Sequence, residues 1–542
     1  MQAAANLVEV VGCLPLAITQ LASIAIEDCC SLRDLESSYD NFAQLIEDSE
    51  YGQTVTGTLS QYSYSLETVL SMNFENLDRP QQDLLNILSF LDPDKIQFDL
   101  LTGSVGDIAQ QHHEVFKTRR QLIKARGFLL KSSLLYENAE LSINWMHRLV
   151  QSTCQLRMLK TSPETRQKAF ESAFSMVHKA FPVAPITGRH DRSYWAAQEG
   201  CLAHVQILAK TVESSQHKNP LEVDAAKFSK LLHDAAWYLY ERGTFQPAYE
   251  LLDVSEMIAT QAEDRTGMLV ILGEICRVRA SLQTETNQPR QAYESFTREL
   301  DFVYEAIEAG VMKRPPHARS LHRYTEAEAY YRKALEAFEG MPGILSKMSI
   351  LEHNFAICLW IQGRHEEAFE LLNRIITDRN DTTTYRTAHA MFALGNVETS
   401  LGVRLLDEER FDEGNNMLDA ALATHVQTLK LFRATLGDGH DKTGNTLYKI
   451  GCHLRRKHDH SGSITNLRDA LQVFESGGAF LNETARSTFM LGCVYQDAGE
   501  IANGRLLIEK AEEMRKKVVG DAEWSPASGV SEFDSLINCW SR

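Results

Sequence analysis

The sequence predicts a mainly α-helical protein whose C-terminal part is a solenoid of stacked helix pairs. Three observations carry this. From about residue 350 to the end a helical unit recurs roughly every 40 residues, marked by a small residue in a first helix, a turn, and a small or apolar residue in a second. The clearest copies are Asn354-Phe355-Ala356 with Gly363 and Ala368, Leu447-Tyr448-Lys449-Ile450-Gly451 with Leu467 and Ala470, and Leu491-Gly492-Cys493 with Gly499. Another starts at Leu394-Gly395-Asn396 and is stretched by an insertion over residues 402–413. Small residues belong where two helices cross closely, because a larger side chain there costs about 1–3 kcal/mol. Finally, a chain of 542 residues is too long for one core and suggests two or three domains.

This pattern resembles tetratricopeptide repeats, and the linking turn Leu436-Gly437-Asp438-Gly439-His440 is similar to that of the longer, kinesin-light-chain type. Each repeat of such a solenoid buries its apolar face against its neighbours and leaves the concave side for a ligand. The resemblance therefore implies a protein or peptide partner in the concave groove. Counting from the small-residue markers, His353, Asn396, Asn445 and Arg486 should face that groove. In peptide-binding members of the family an asparagine directly after the small residue holds the ligand backbone, and Asn396 occupies that place. An amide suits the task because it both donates and accepts.

The N-terminal elements follow in order. Residues 8–26 are largely apolar, but Glu9 precedes the core, Pro15 interrupts it and no basic segment leads it, so two buried helices are expected rather than a signal peptide. Pro15 starts the second helix, where its missing N–H costs nothing. Residues 64–77 are helical in pattern. Residues 122–135 suggest a helix, a turn at Gly127 and a strand, with Leu141-Ser142-Ile143-Asn144-Trp145 alternating as the partner strand.

Gly12-Cys13-Leu14-Pro15-Leu16-Ala17 resembles the Gly-Leu-Pro-Leu motif of NB-ARC nucleotide-switch ATPases, and Met146-His147-Arg148-Leu149 resembles their Met-His-Asp sensor in its fungal form. Between them, residues 84–94 are similar to the opening of the winged-helix-like segment of fungal NB-ARC proteins that carry these repeats, an NLR-like STAND group. The resemblance implies that Pro15 lies near a nucleotide base and His147 near its phosphates, as vestigial contacts. Vestigial is the apt word, because a P-loop needs phosphate-cradling glycines followed by Lys and Ser or Thr, and none is present. Gly437-Asp438-Gly439-His440-Asp441-Lys442-Thr443 lacks the glycine before lysine, and no apolar strand ends in paired carboxylates for magnesium. The chain is thus expected to begin where the family's nucleotide domain ends. It needs no cofactor, and ADP or ATP would bind only if an intact nucleotide domain were supplied.

The expected organisation is a helical remnant of the NB-ARC module over residues 1–75, a winged-helix-like segment over 76–160, a helical spacer over 161–220, a tetratricopeptide-repeat solenoid over 221–520 and a closing segment over 521–542. Weak repeats start at Ala236, with Gly243 and Ala248, and at Gly273, with an insertion before Ala292. One repeat is broken by Lys313-Arg314-Pro315-Pro316-His317, since each interior proline costs about 3 kcal/mol.

Charge and cysteine usage narrow the function. A net charge of -18 argues against nucleic-acid or anionic-membrane partners, and basic runs such as Arg455-Arg456-Lys457 alternate with acidic faces as solvated surface does. Ten scattered cysteines fit a reduced compartment, here the cytoplasm. His112-His113 and His458-Asp459-His460 lack metal-ligand spacing, and no catalytic motif emerges, so no enzyme is expected. The function expected is the sensing and coupling part of a truncated NB-ARC switch that binds protein. The alternatives are a kinesin-light-chain-like cargo or scaffold adaptor, and a switch completed by a separate P-loop ATPase chain.

Overall fold

The computed structural model describes residues 2–11, 13–47, 68–106, 114–183, 192–216, 219–286, 288–311, 345–377, 384–476, 480–520, 525–527, 529–537 and 541. It divides into two compact units, Met1–Val183 with Tyr194–Leu231, and Ala184–Ser193 with Leu232–Arg542. Among the described residues no helix is long and apolar enough to cross a membrane.

The first unit opens with α1 (Gln2–Val10), α2 (Pro15–Glu27) and α3 (Leu32–Glu47). Pro15 is the first residue of α2, after an extended Leu14. That helix buries Ala17, Leu21 and Ile24, and Gln20 Nε2 donates to the Ser133 carbonyl at 2.5 Å. Next comes α4 (Arg79–Leu88), started by a reciprocal cap in which Asp78 accepts from the Gln81 N–H and Gln81 accepts from the Asp78 N–H, both at 2.9 Å. Then follow β1 (Ile96–Gln97), α5 (Phe98–Thr102), α6 (Arg119–Lys131), β2 (Tyr136–Asn138) and β3 (Ile143–Trp145). The strands form an antiparallel sheet in the order β1-β3-β2, with Ile96 opposite Asn144 and Tyr136 opposite Trp145. The expected turn at Gly127 is corrected: α6 runs through it, because Leu122, Ala125 and Leu129 bury one face and outweigh the roughly 1 kcal/mol that a helical glycine costs. The chain turns instead at Ser133, whose φ is 55°. The unit continues through α7 (Arg148–Thr161), α8 (Pro163–Ala180) and α9 (Trp195–Ser215).

The second unit is built of helix pairs: α10 (Ala225–Glu241) with α11 (Phe245–Gln261), α12 (Arg265–Glu285) with α13 (Pro289–Glu308), α14 (Leu345–Ile361) with α15 (His365–Thr377), α16 (Tyr385–Asp407) with α17 (Phe411–Thr435), α18 (Asp441–Arg456) with α19 (His460–Ser476), and α20 (Leu481–Asp497) with α21 (Ile501–Val519). The proline-broken repeat at Lys313-Arg314-Pro315-Pro316 lies outside the described residues.

One spacing governs every pair. Small residues recur twelve apart, one in each helix of a pair: Ala236 and Ala248, Ala280 and Ala292, Ala356 and Ala368, Gly402 and Gly414, Gly451 and Ser463, Gly492 and Gly504. The alanines are fully buried. A Cβ on Gly492 would stand 2.9 Å from the Gly504 carbonyl, and one on Gly402 would stand 3.1 Å from that of Gly414. Ser463 uses the same proximity to donate to the Gly451 carbonyl at 2.8 Å. This corrects two markers. Ala280 and Gly402 fill the places expected for Gly273 and Gly395, seven residues earlier. Seven residues are nearly two helical turns, so the earlier residue lies on the same side of the helix. With Ala280 as marker no insertion is needed before Ala292, and the extra length near Gly402 is taken up by helices of 23 and 25 residues. Gly395 is small for another reason, since its Cβ would meet the His425 ring at 2.6 Å.

Seven places after five of the six markers the backbone turns through positive φ, at Gly243 (69°), Gly363 (80°), Glu409 (62°), His458 (59°) and Gly499 (86°). The left-handed conformation ends a helix without breaking its last hydrogen bonds, and glycine takes it without strain.

After α21 the chain returns as α22 (Val530–Asp534). Phe533 stacks on Phe489 at 4.2 Å between ring centres, and with Leu536 and Ile537 it closes the last pair over Ala485 and Ala511.

Candidate functional site

First helices of successive pairs touch, α14 with α16 and α18 with α20. Asn396, Asn445 and Arg486 each stand six places before their markers Gly402, Gly451 and Gly492, and so share a register; His353 stands three before Ala356. All four are buried. His353 packs against His389 at 4.5 Å between ring centres, whereas Asn445 and Arg486 are brought together. Arg486 donates from Nη2 to Asn445 Oδ1 and from Nη1 to the Ser541 carbonyl, both at 2.8 Å, and its guanidinium lies 3.9 Å from the Tyr448 ring centre and 3.6 Å from Asp534. The C-terminal segment therefore occupies the Arg486 fork that the register assigned to a ligand.

Open space lies beside this cluster. A cleft of about 660 Å³ is lined by Thr399 of α16, by Tyr448, Lys449, Cys452, His453, Arg455 and Arg456 of α18, by Met490 and Asp497 of α20, by His458 and His460 at the turn, and by Val530 and Asp534 of α22. Three cations, Lys449, Arg455 and Arg456, and two carboxylates, Asp497 and Asp534, line it. In a chain of net charge -18 this is a local positive excess.

Burial, with the neighbouring Arg486 and Arg456, lowers Lys449 to about 8. Burial likewise drops His453 to about 3, with Arg456 adding to it, and holds His425 well below the usual imidazole range. Both rings are thus neutral at ordinary pH. His453 Nε2 lies 3.3 Å from Thr399 Oγ1 and 3.3 Å from His425 Nδ1. Arg455 is held by Asp497 at 2.6 Å and by Met490 Sδ at 3.5 Å. His460 Nδ1 is shielded from solvent and has no hydrogen-bond partner among the described residues. Among those residues no group of three or more His, Cys, Asp or Glu could hold a metal ion.

The loop that mimics a P-loop is committed elsewhere. Lys442 reaches Glu285 at 3.3 Å in an interior cluster with Tyr240, Tyr385 and Asp441, and His440 Nε2 lies 3.2 Å from the Glu241 carbonyl.

In the first unit Pro15 and His147 are exposed, on α2 and at the start of α7. His147 caps α7 through Nδ1, which accepts from the Leu149 N–H at 3.2 Å, so the neutral ring carries its proton on Nε2.

The sequence does not single out the cleft residues, because Arg455-Arg456-Lys457 alternates with acidic faces as solvated surface does. The signal that could have found them is His458, a bulky residue in the turn position that three other pairs give to glycine.

Residues 72–162 match a family model described as a domain of unknown function, DUF7779, and residues 317–379 match that of the tetratricopeptide repeat. Neither covers half of the chain. No curated protein matches the sequence significantly. Solved structures with likeness include BtubC from P. vanneervenii (15% identity, 47% of this chain and 96% of that one, TM-score 0.32). A signal-transduction ATPase with numerous domains and a tetratricopeptide-repeat sensor, from Pyrococcus horikoshii, is similar at 13% identity over 97% of this chain and 75% of that one, TM-score 0.33. A Rap protein complexed with Competence and Sporulation Factor is similar at 13% identity over 76% of this chain and 98% of that one, TM-score 0.36. At such scores none of the three transfers a ligand or partner to this chain. The second unit is an α-solenoid of tetratricopeptide type, on its helix-pair spacing and the family match.

Proposed function

We propose that this chain binds a protein or peptide segment on the first-helix face of its repeat solenoid. The cleft beside Lys449 carries the reading, as a solvent-open space on the face that repeat stacking leaves uncovered. His353, Asn396, Asn445 and Arg486 support that face from beneath, and Asn445 and Arg486 fix the wall that the C-terminal segment forms. A random peptide library displayed against the full chain tests this. Enriched sequences should bind with micromolar affinity and weaken when Arg456 becomes Gln. Failure to enrich any sequence overturns it.

The first unit is the coupling part of an NB-ARC-type switch, and its segment from α4 to β3 is a winged helix. Support comes from the element order helix, strand, helix, helix, two-stranded hairpin, and from the Nε2–H of exposed His147, which is a donor suited to a phosphate. Without a P-loop the chain alone should show no ADP or ATP affinity by calorimetry at that unit.

A further inference from the structure

We infer that the second unit carries a clasp that opens and closes: the turn after α10 and the end of α12 are held against the starts of α18 and α20 by a contact that repeat stacking does not supply.

In a solenoid each repeat packs on its neighbours, and stability is close to the sum of those nearest-neighbour terms. The clasp is of another kind, because α14 to α17 stand in the chain between the elements it joins. Lys442 reaches Glu285, 157 residues away, at 3.3 Å, and His440 Nε2 lies 3.2 Å from the Glu241 carbonyl, 199 residues away. Tyr240 donates to Glu285 at 3.4 Å. Phe245, the first residue of α11, meets Phe480, just before α20, at 5.5 Å between ring centres. The turn itself abuts α18, since a Cβ on Gly243 would stand 3.4 Å from Asp441 Oδ1. Losing this contact breaks no helix pair.

The chemistry of the contact favours opening. The aromatic pair apart, these partners are polar or charged, and polar interfaces within a chain move more readily than apolar cores. At the centre is a void of about 20 Å³, room for one water molecule. Three carboxylates, Glu241, Glu285 and Asp441, line it, with Lys442 as the lysine among them. A buried ion pair adds little net stability over apolar packing, but altering one partner is costly because the other stays buried. Such a contact holds firmly while matched and gives way when one charge changes.

The clasp also reaches the first-helix face. Tyr385, which lines the void, stacks on His389 at 5.7 Å between ring centres, and His389 packs on His353 at 4.5 Å. One line of rings therefore joins the clasp to that face.

The test is a distance measurement by electron paramagnetic resonance on the full chain, with spin labels built in as unnatural residues at exposed Glu250 of α11 and exposed Thr465 of α19. The native chain should give one main distance. Lys442→Glu, which sets a fourth carboxylate at the void, and Phe245→Ala, which removes the aromatic contact, should each add a second population longer by about 10 Å or more, with helix content by circular dichroism unchanged. Gly492→Leu, a destabilising change outside the clasp, should leave the native distance in place. An unchanged distance in both clasp variants overturns the proposal. So does loss of helix content together with the native distance in both, since the contact would then belong to one cooperative core. The same longer population in Gly492→Leu overturns it as well. Where one clasp variant fails to fold, the other decides between these outcomes.

Discussion

Lys442 and Lys449 sit on one helix, nearly two turns apart and on the same side, yet their surroundings are opposite. Burial alone would lower both. Around Lys442, Glu285, Tyr385 and Asp441 outweigh that effect and hold it well above the ordinary lysine range. At Lys449 the neighbouring Arg486 adds to the effect of burial, and Asp534 does not make up the difference, so it falls to about 8. A buried cation matched by a carboxylate joins parts of a structure. A cation with other cations close by is instead lowered, as Lys449 is despite Asp534.

The largest test of this contrast replaces each lysine by methionine. Lys442→Met strands Glu285 in the interior and should cost about 3–5 kcal/mol, whereas Lys449→Met removes an unfavourable charge and should be neutral or slightly stabilising at pH 7. Denaturant melts of the two variants measure the difference. The sign agrees with linkage: with the folded value of Lys449 below the unfolded one, its penalty is full below pH 8 and is relieved as pH rises through and beyond 8.

Next in size is the register that aligns the two lysines. Gly492→Leu should destabilise the last pair by about 1–3 kcal/mol, because its Cβ would stand 2.9 Å from the Gly504 carbonyl, which is backbone and cannot swing aside. Exposed Glu513→Ala should change the melting temperature little. Equal melting temperatures would refute the twelve-residue spacing.

That spacing shows how far the sequence could be read. Ala356, Gly451 and Gly492 were legible as markers because helix crossings tolerate only small residues. Gly273 and Gly395 misled because a residue two turns away shares the same helix side, and sequence alone does not tell a crossing glycine from one that makes room for His425. Gly127 misled because local propensity is weaker than the burial of Leu122 and Leu129. The capture of Arg486 by Ser541, 55 residues on, has no local signature at all.

A smaller effect is expected from pH. As pH rises from about 8 toward 10 the folded chain has lost the Lys449 proton, so the stability difference between the native chain and Lys449→Met should shrink. The groups acting on that lysine are Arg486 of α20, Asp534 of α22, and Cys452 and Arg456 of its own helix. A pH-independent difference in denaturant melts would contradict this.

The smallest effect concerns the strained turns. Glycine relieves positive φ, so His458→Gly and Glu409→Gly should each stabilise the chain by about 0.5–1 kcal/mol. Only His458→Gly should also weaken binding of a selected peptide, because among these two only His458 lines the cleft.

Hydrogen exchange of the full chain with and without a saturating peptide selected from the library tests the central claim most directly. The account predicts new protection concentrated over residues 449–460, spreading to the end of α20 and leaving the first unit unchanged. Protection centred on the segment around His147, or spread evenly over all helix pairs, would contradict it.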